Sequence, residues 1–211
     1  MTIVVTPSTT SGSYTYTSLK SSIAQWLHRT DLDSIIPDLI GIAEQRMNSD
    51  INARDMETAV TLYTVADSKT ITAPDDIIES VRMTLQTSPN RLLNYLAPEP
   101  LVTQFANQAS GEPQAYTVYG SQFEFGPVPS SVYEIEYVYR QKIPPLSTEN
   151  PSNWLLAKWP YVYLYGALLA SAPYLGQDQR VVVWQKEYQE MVDNINQIDW
   201  YTGTSMRVRA V

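Results

Sequence analysis

Residues 132–172 read VYEIEYVYRQKIPPLSTENPSNWLLAKWPYVYLYGALLASA, and two periodicities meet in this stretch. From Val132 to Arg140 the chain alternates. Tyr133, Ile135, Tyr137 and Tyr139 fall on one side and Glu134, Glu136 and Arg140 on the other, the pattern of a half-buried strand. Pro144-Pro145 and Asn150-Pro151 then interrupt regular structure, because proline lacks a backbone N–H and pushes its predecessor out of the helical region. Beyond them the pattern is helical. Trp154 to Lys158 makes a first turn, Pro160 stands where a first helical residue tolerates proline, and Tyr161 to Ala172 is apolar on nearly every side. A helix without a polar stripe has to be enclosed by other elements, so strands and buried helices share one chain and the fold class is α+β.

Upstream, the period of two persists. Thr58 to Val65, Thr70 to Thr72, Ile78 to Gln86, Ala115 to Tyr119 and Gln122 to Phe125 alternate or carry β-branched and aromatic residues between turn signals. Tyr119-Gly120-Ser121-Gln122 predicts a two-residue hairpin with Gly120 supplying the positive φ of a type II′ turn, and Ala66 to Lys69 predicts a second tight turn. Pro98-Glu99-Pro100 opens a short helix over 101–108, ahead of the loop Ser110-Gly111-Glu112-Pro113. These strands predict an antiparallel sheet or a small sandwich.

Further out, both flanks are helical. Leu19, Ile23, Trp26 and Leu27 form one stripe capped by Thr17 or Ser18; Ile36, Ile40, Ala43 and Met47 form another, with Asp33 or Ser34 as cap and Pro37 in the first turn. The two make an αα-hairpin with a very short loop. On the other flank Trp184, Tyr188, Met191, Ile195 and Ile198 recur at heptad spacing. Residues 1–16 are rich in Ser and Thr and read as a flexible arm; 199–211 lose the pattern and read as a tail that is flexible when free.

With 211 residues, the chain fits one domain or one domain carrying an insertion. Charged residues make up 17% of it, against about 25% in an average soluble protein, while Tyr numbers 15 and Trp 5. Protein interfaces enrich Tyr and Trp and deplete Lys and Glu, so this composition suits a subunit largely covered by neighbours, an oligomer. The net charge of −8 argues against a nucleic-acid binder with a basic face. Without cysteine there is no disulfide framework, thiolate zinc site, thiol nucleophile or iron–sulfur cluster. Met1 to Val5 has neither the basic flank nor the length of a secretory signal. Trp159 to Gln177 is uncharged but carries Pro160, Gly166, Pro173 and Gly176, which fits a buried helix better than a membrane span.

Chemistry-bearing motifs are sparse. His28 is the single histidine and has no partner for a zinc pair or a triad. Asp31-Leu32-Asp33 and Pro74-Asp75-Asp76 resemble fragments of calcium loops but lack the full ligand pattern, and capping explains both. Glu134 and Glu136 lie roughly 6–7 Å apart by strand rise, a spacing glycosidase carboxylates also show, yet exposed alternation gives it by default. No phosphate-cradling glycine loop, nucleophile elbow or zinc-protease helix occurs, so the expectation is a non-enzyme with no catalytic residue, metal or cofactor. Trp154, Trp159, Tyr161, Tyr163 and Tyr165 have only Lys158 as a nearby base; with Trp184 they read as core or subunit-interface residues.

The order of segments adds a family likeness. Leu19-Lys20, Trp26-Leu27-His28-Arg29-Thr30-Asp31-Leu32, Ile36-Pro37-Asp38-Leu39-Ile40 and Ala43-Glu44 come first; Tyr116-Thr117-Val118, Phe123 to Pro129, Glu136 to Tyr139 and Lys142 to Ser147 follow; Asn153 to Leu156, Pro160 to Leu168 and the helix around Trp184 close the series. This sequence resembles the head-to-tail adaptor (connector) proteins of tailed bacteriophages over about residues 17–198. The resemblance implies a helical bundle domain from 17–57 and 150–198 with an antiparallel β domain, 58–149, inserted between. It implies a structural virion protein at the head–tail neck, assembled in the host cytoplasm as a ring of twelve below the portal. Such a ring extends the DNA channel and offers the docking surface for tail, nozzle or fibre proteins, with no catalytic residues to carry over and no membrane partner. Twelve copies at −8 each give a formal −96, so DNA passes the channel without being held. The tail is expected to reach the portal, with Trp200 and Tyr201 as anchors and Arg207 and Arg209 meeting acidic groups. The alternatives are a neck stopper or tail-completion protein further from the portal, and a virion-associated hydrolase working through Glu134 or Glu136.

Overall fold

The computed structural model describes residues 14–29, 31–176 and 179–200, with side chains through Ile198. The expectations for the arm before Tyr14, the side chain of Trp200, and Tyr201, Arg207 and Arg209 lie outside the described residues. The described helices are α1 (Tyr16–Leu27), α2 (Ile36–Asp50), α3 (Pro98–Phe105), α4 (Trp154–Lys158), α5 (Pro160–Leu175) and α6 (Val181–Trp200). The strands are β1 (Glu57–Tyr63), β2 (Thr70–Thr72), β3 (Ile77–Leu85), β4 (Arg91–Leu92), β5 (Asn94–Tyr95), β6 (Ala115–Tyr119), β7 (Gln122–Gly126) and β8 (Glu134–Gln141). The α+β class is observed, and the chain forms two compact units. Arg54–Lys142 is one; the residues up to Ala53 and from Ile143 onward form the other.

In the helical unit, α1 begins at a capping box. Ser18 N–H donates to Thr15 Oγ1 at 3.3 Å and Thr15 N–H to Ser18 Oγ at 2.8 Å, so the cap is Thr15, ahead of the expected Thr17 or Ser18. The helix ends at His28, whose φ of 53° turns its N–H back to the Ala24 and Gln25 carbonyls. Neither Asp33 nor Ser34 caps α2. Ile35 holds the cap position without a side-chain bond, and the N–H groups of Ile35 and Ile36 donate instead to the Leu32 carbonyl.

Helix α5 packs against α1, α2, α4 and α6, as an all-round apolar helix must. A Cβ on Gly166 would come within 2.7 Å of Met47 Cε and 3.3 Å of Ala43 Cβ, so glycine sets the close approach of α2 and α5. The helix runs on through Pro173, which is exposed in the last turn, before Gly176 ends it with φ +80°. The stripe Ile36, Ile40, Ala43 and Met47 is buried as its spacing predicts. On α6 the buried set is Trp184, Tyr188, Val192 and Ile195, with Met191 half-buried and Ile198 exposed. Those steps of four, four and three follow the 3.6 period of a straight helix and not a heptad seam. Trp26 also departs from its stripe, standing 42% exposed with its ring edge-on to Tyr165 at 5.7 Å.

The strand-bearing unit has two sheets, ordered β1-β8-β3-β4 and β2-β7-β6-β5. Their side chains meet in one cluster that includes Met83, Leu85, Tyr116, Phe123, Phe125, Ile135, Tyr137 and Tyr139. The rings form a chain across it. Tyr116 meets Phe123 at 6.1 Å, Phe123 meets Tyr137 at 4.8 Å from the opposite sheet, and Tyr137 stacks on Tyr139 at 5.0 Å. The hairpin pairs Tyr119 with Gln122, and Gly120 at φ 60° carries its positive φ. The sheets are not antiparallel throughout. β5 pairs β6 in parallel, Asn94 with Ala115 and Tyr95 with Tyr116, because the α3 segment runs between them as the crossover that a parallel pair requires. The two-residue strands β4 and β5 are too short to leave a period in the sequence.

Candidate functional site

The predicted aromatic set divides by depth. Tyr163 and Trp184 are core residues; Trp154, Trp159 and Tyr165 are half-buried; Tyr161, in the first turn of α5, is 54% exposed. The indole Nε1 of Trp154 is buried without a hydrogen-bond partner. Trp184 lies under the Arg180 guanidinium at 5.0 Å, and Arg180 also donates to the Trp26 carbonyl at 3.1 Å.

Tyr163 is the centre of a buried polar knot. Asn153 Nδ2 donates to its hydroxyl at 2.6 Å and to the Pro144 carbonyl at 2.7 Å, while Asn153 Oδ1 caps α4 by accepting from Leu156 N–H at 2.8 Å. The hydroxyl donates in turn to Glu44 Oε1 at 3.3 Å, which also accepts from Leu146 N–H at 2.8 Å. Burial pushes the Glu44 carboxyl above its usual range, with the Leu146 and Tyr163 bonds opposing. Burial, reinforced by Glu44, pushes Tyr163 well up, so its proton stays in place. A second knot closes the far end of α2. Tyr188 donates to Asp50 Oδ2 at 3.0 Å, Asn196 Nδ2 to the Asp50 carbonyl at 3.0 Å, and Asn52 N–H to Asn196 Oδ1 at 2.8 Å. Ile143 N–H donates to Asn48 Oδ1 at 2.8 Å. Side chains of α2 and α6 thus hold both points where the chain leaves and re-enters the helical unit. Glu44 was readable in principle: it sits four residues after Ile40 and three before Met47, inside the buried stripe.

Two open surfaces follow from this packing. An apolar groove of about 630 Å³ runs between α2 and α5, lined by Leu39, Ile42, Leu169, Ala170 and Tyr174, with Asp38 and Arg46 beside them. Ile42 and Tyr174 are more than half exposed there. The strand-bearing unit exposes Tyr63, Val65, Val81, Tyr95 and Tyr119.

The residues weighed for chemistry have structural occupations. Glu136 pairs with Arg82 at 3.1 Å and Glu134 is exposed. Asp31 binds the Arg29 guanidinium through both oxygens, which holds its carboxyl below the usual range. Asp76 accepts from the Tyr139 hydroxyl at 3.0 Å; burial and that carboxylate push the phenol up to about 12. Among the described residues no group of three or more His, Cys, Asp or Glu side chains is placed to hold a metal ion.

That arrangement meets its counterpart in sequence comparison. The family described as SU10 adaptor protein matches residues 14–209. The chain belongs to this phage head-to-tail adaptor family. The curated proteins hold no match to it. Membership makes this SU10-type adaptor a structural protein of the phage virion and implies contacts with portal and tail proteins. No helix among the described residues is long and apolar enough to cross a membrane.

Proposed function

We propose that this protein works as a ring-forming head-to-tail adaptor directly below the portal, extending the DNA channel and presenting the docking surface for tail, nozzle or fibre proteins. The observation that carries the reading is the family match, which takes in nearly the whole chain and both units. In this reading the helical unit, drawn from both ends of the chain, is the bundle domain and the strand-bearing unit is an insertion into it. A cyclic ring of twelve needs a different patch on each side of every subunit. The α2/α5 groove and the exposed Tyr161 are candidates for those patches, covered by neighbouring copies. Trp154, Trp159 and Tyr165 are half-buried and are further candidates. The formal charge of −8 per chain keeps the channel from holding DNA.

The C-terminal tail is assigned to the portal. Trp200 and Tyr201 act as anchors and Arg207 and Arg209 pair with carboxylates. The test compares binding of the full chain and of a chain ending at Ile198 to purified portal and to tail tube. The full chain is expected to bind portal and the shortened chain to stay folded but lose it. Equal portal binding overturns the tail assignment, and binding to tail tube alone moves the protein to a stopper or tail-completion role.

A further inference from the structure

Strand β1 is an edge strand with little of the usual protection beyond Glu57 at its start. Its one neighbour is β8, in the register Glu57↔Arg140 through Tyr63↔Glu134. The next pair in that register, Thr64 with Tyr133, is joined by Thr64 N–H donating to the Tyr133 carbonyl at 3.0 Å. Antiparallel ladders alternate, so Thr58, Val60 and Leu62 also direct their backbone groups at β8, while Ala59, Thr61 and Tyr63 direct theirs away. Among the described residues nothing bonds to those outward groups. Natural edges are blunted by Lys, Pro, bulges or shortness. Here the one charge is Glu57 at the start of the strand; from Thr58 to Ala66 the strand and its extension contain no charge and no proline, and the β1–β8 register has no break.

The core is also open at this edge. Val60 and Leu62 are packed against the hydrophobic cluster yet only partly buried, as is Ile71 on β2, the edge strand of the second sheet. Leu62, Tyr63, Val65, Ile71, Thr72 and Gln122 border an open groove of about 340 Å³ between the two edges. A strand added to β1 would satisfy the outward amides and cover these aliphatic side chains together.

The chain contains a segment suited to that position. Thr2-Ile3-Val4-Val5-Thr6 consists entirely of β-branched residues, the side chains that fit a pleated surface best, carries no charge, and is stopped by Pro7. Its five residues match the run from Thr58 to Leu62. The polar stretch from Pro7 to Ser13 that joins it to the helical unit can span roughly 25 Å when extended. We infer that residues 2–6 of one copy add as a strand to the free edge of β1 on the neighbouring copy, so that each subunit of the ring clasps the next. The inference rests on the ring reading given above.

The protein has no cysteine, so introduced thiols report without background. Chains carrying Val4→Cys are mixed in equal amounts with chains carrying Ala59→Cys, assembled on portal and treated with a short bis-maleimide. The expected result is a covalent dimer in the mixture that neither variant gives alone. It should vanish when the acceptor also carries Thr61→Pro, which removes an outward N–H and no bond to β8. If that acceptor fails to fold, Val5→Pro on the donor serves as the second break. Rings that form on portal without the cross-link overturn the inference and leave the adaptor reading standing. A cross-link between free chains that ignore portal overturns the adaptor reading alone, and absence of both overturns both. Loss of portal attachment in Thr61→Pro rings with no cross-link between copies assigns the edge to a strand from another protein and also overturns the inference.

Discussion

The helical unit and the strand-bearing unit bury their interiors by opposite means. The helical one places a carboxylic acid, an amide and a phenol at its centre: Glu44, Asn153 and Tyr163 join α2, α4 and α5 to the segment that begins at Ile143. The strand-bearing one fills its centre with rings from Tyr116 to Tyr139 and sends two of their hydroxyls to Ser80 and Asp76. A ring cluster is held by contact area and is indifferent to pH in the neutral range. A buried acid is held by two donors, and its loss strands both. The difference makes the helical unit sensitive to polarity and the strand-bearing unit sensitive to volume.

Substitutions can break that contrast. The largest effect is expected from Tyr137→Ala, which removes a fully buried ring between Phe123 and Tyr139. About 3–5 kcal/mol of stability should be lost in chemical denaturation, as for other buried aromatics. Glu44→Leu comes next. It leaves the Leu146 N–H and the Tyr163 hydroxyl without their acceptor at an expected cost of about 1–2 kcal/mol for each stranded group, whereas Glu44→Gln keeps an acceptor oxygen and should cost far less. Equal losses for the two variants would mean that volume and not polarity governs this core as well.

The contrast is sharpened by pH. The folded-state pKa of Glu44 is raised by burial above its ordinary value of 4.5, so the folded chain holds this proton more tightly than the unfolded one. The stabilisation from the protonated form is fully present below the unfolded pKa and is lost as pH rises through the folded one. Glu44→Gln should flatten that part of the stability-versus-pH curve, measured by thermal melts from pH 4 upward. Asn196→Ala, which removes the bonds to Asp50 and Asn52, should cost about 1 kcal/mol for each. The smallest change is expected from Glu136→Gln. It loosens an exposed pair with Arg82 and should shift stability by less than about 1 kcal/mol, with hydrolysis of glycan substrates no different between variant and parent.

How far the sequence reveals these two interiors depends on the kind of signal each leaves. Alternation over Tyr133, Ile135, Tyr137 and Tyr139 and the Gly120 hairpin are local patterns, and both are realised. The stripes of α2 and most of α1 are equally local. What escaped reading depends on partners distant in the chain. Thr15 caps α1 because Ser18 answers it, a reciprocity visible in spacing but outcompeted by the neighbouring Thr17. Trp26 falls on the right stripe yet is turned out against Tyr165, and the α6 stripe passes through Val192 instead of Met191, since both residues suit either face. The parallel β5–β6 pair rests on four residues that no periodicity can announce. The buried knot is the clearest case. A glutamate on an apolar stripe reads as an exception until Leu146 and Tyr163, more than a hundred residues away, are brought to it. The surfaces proposed for assembly leave only a compositional trace, the low charge and abundant tyrosine, which suits a subunit with neighbours and carries no position for them.

In the proposed role these two units together form one subunit of a ring beneath the portal. Electron microscopy of the purified full-length protein mixed with purified portal tests it most directly. A closed ring of adaptor density on the tail-facing end of the portal, coaxial with its channel, is the predicted result. Portal particles that remain bare at saturating adaptor concentration would contradict it.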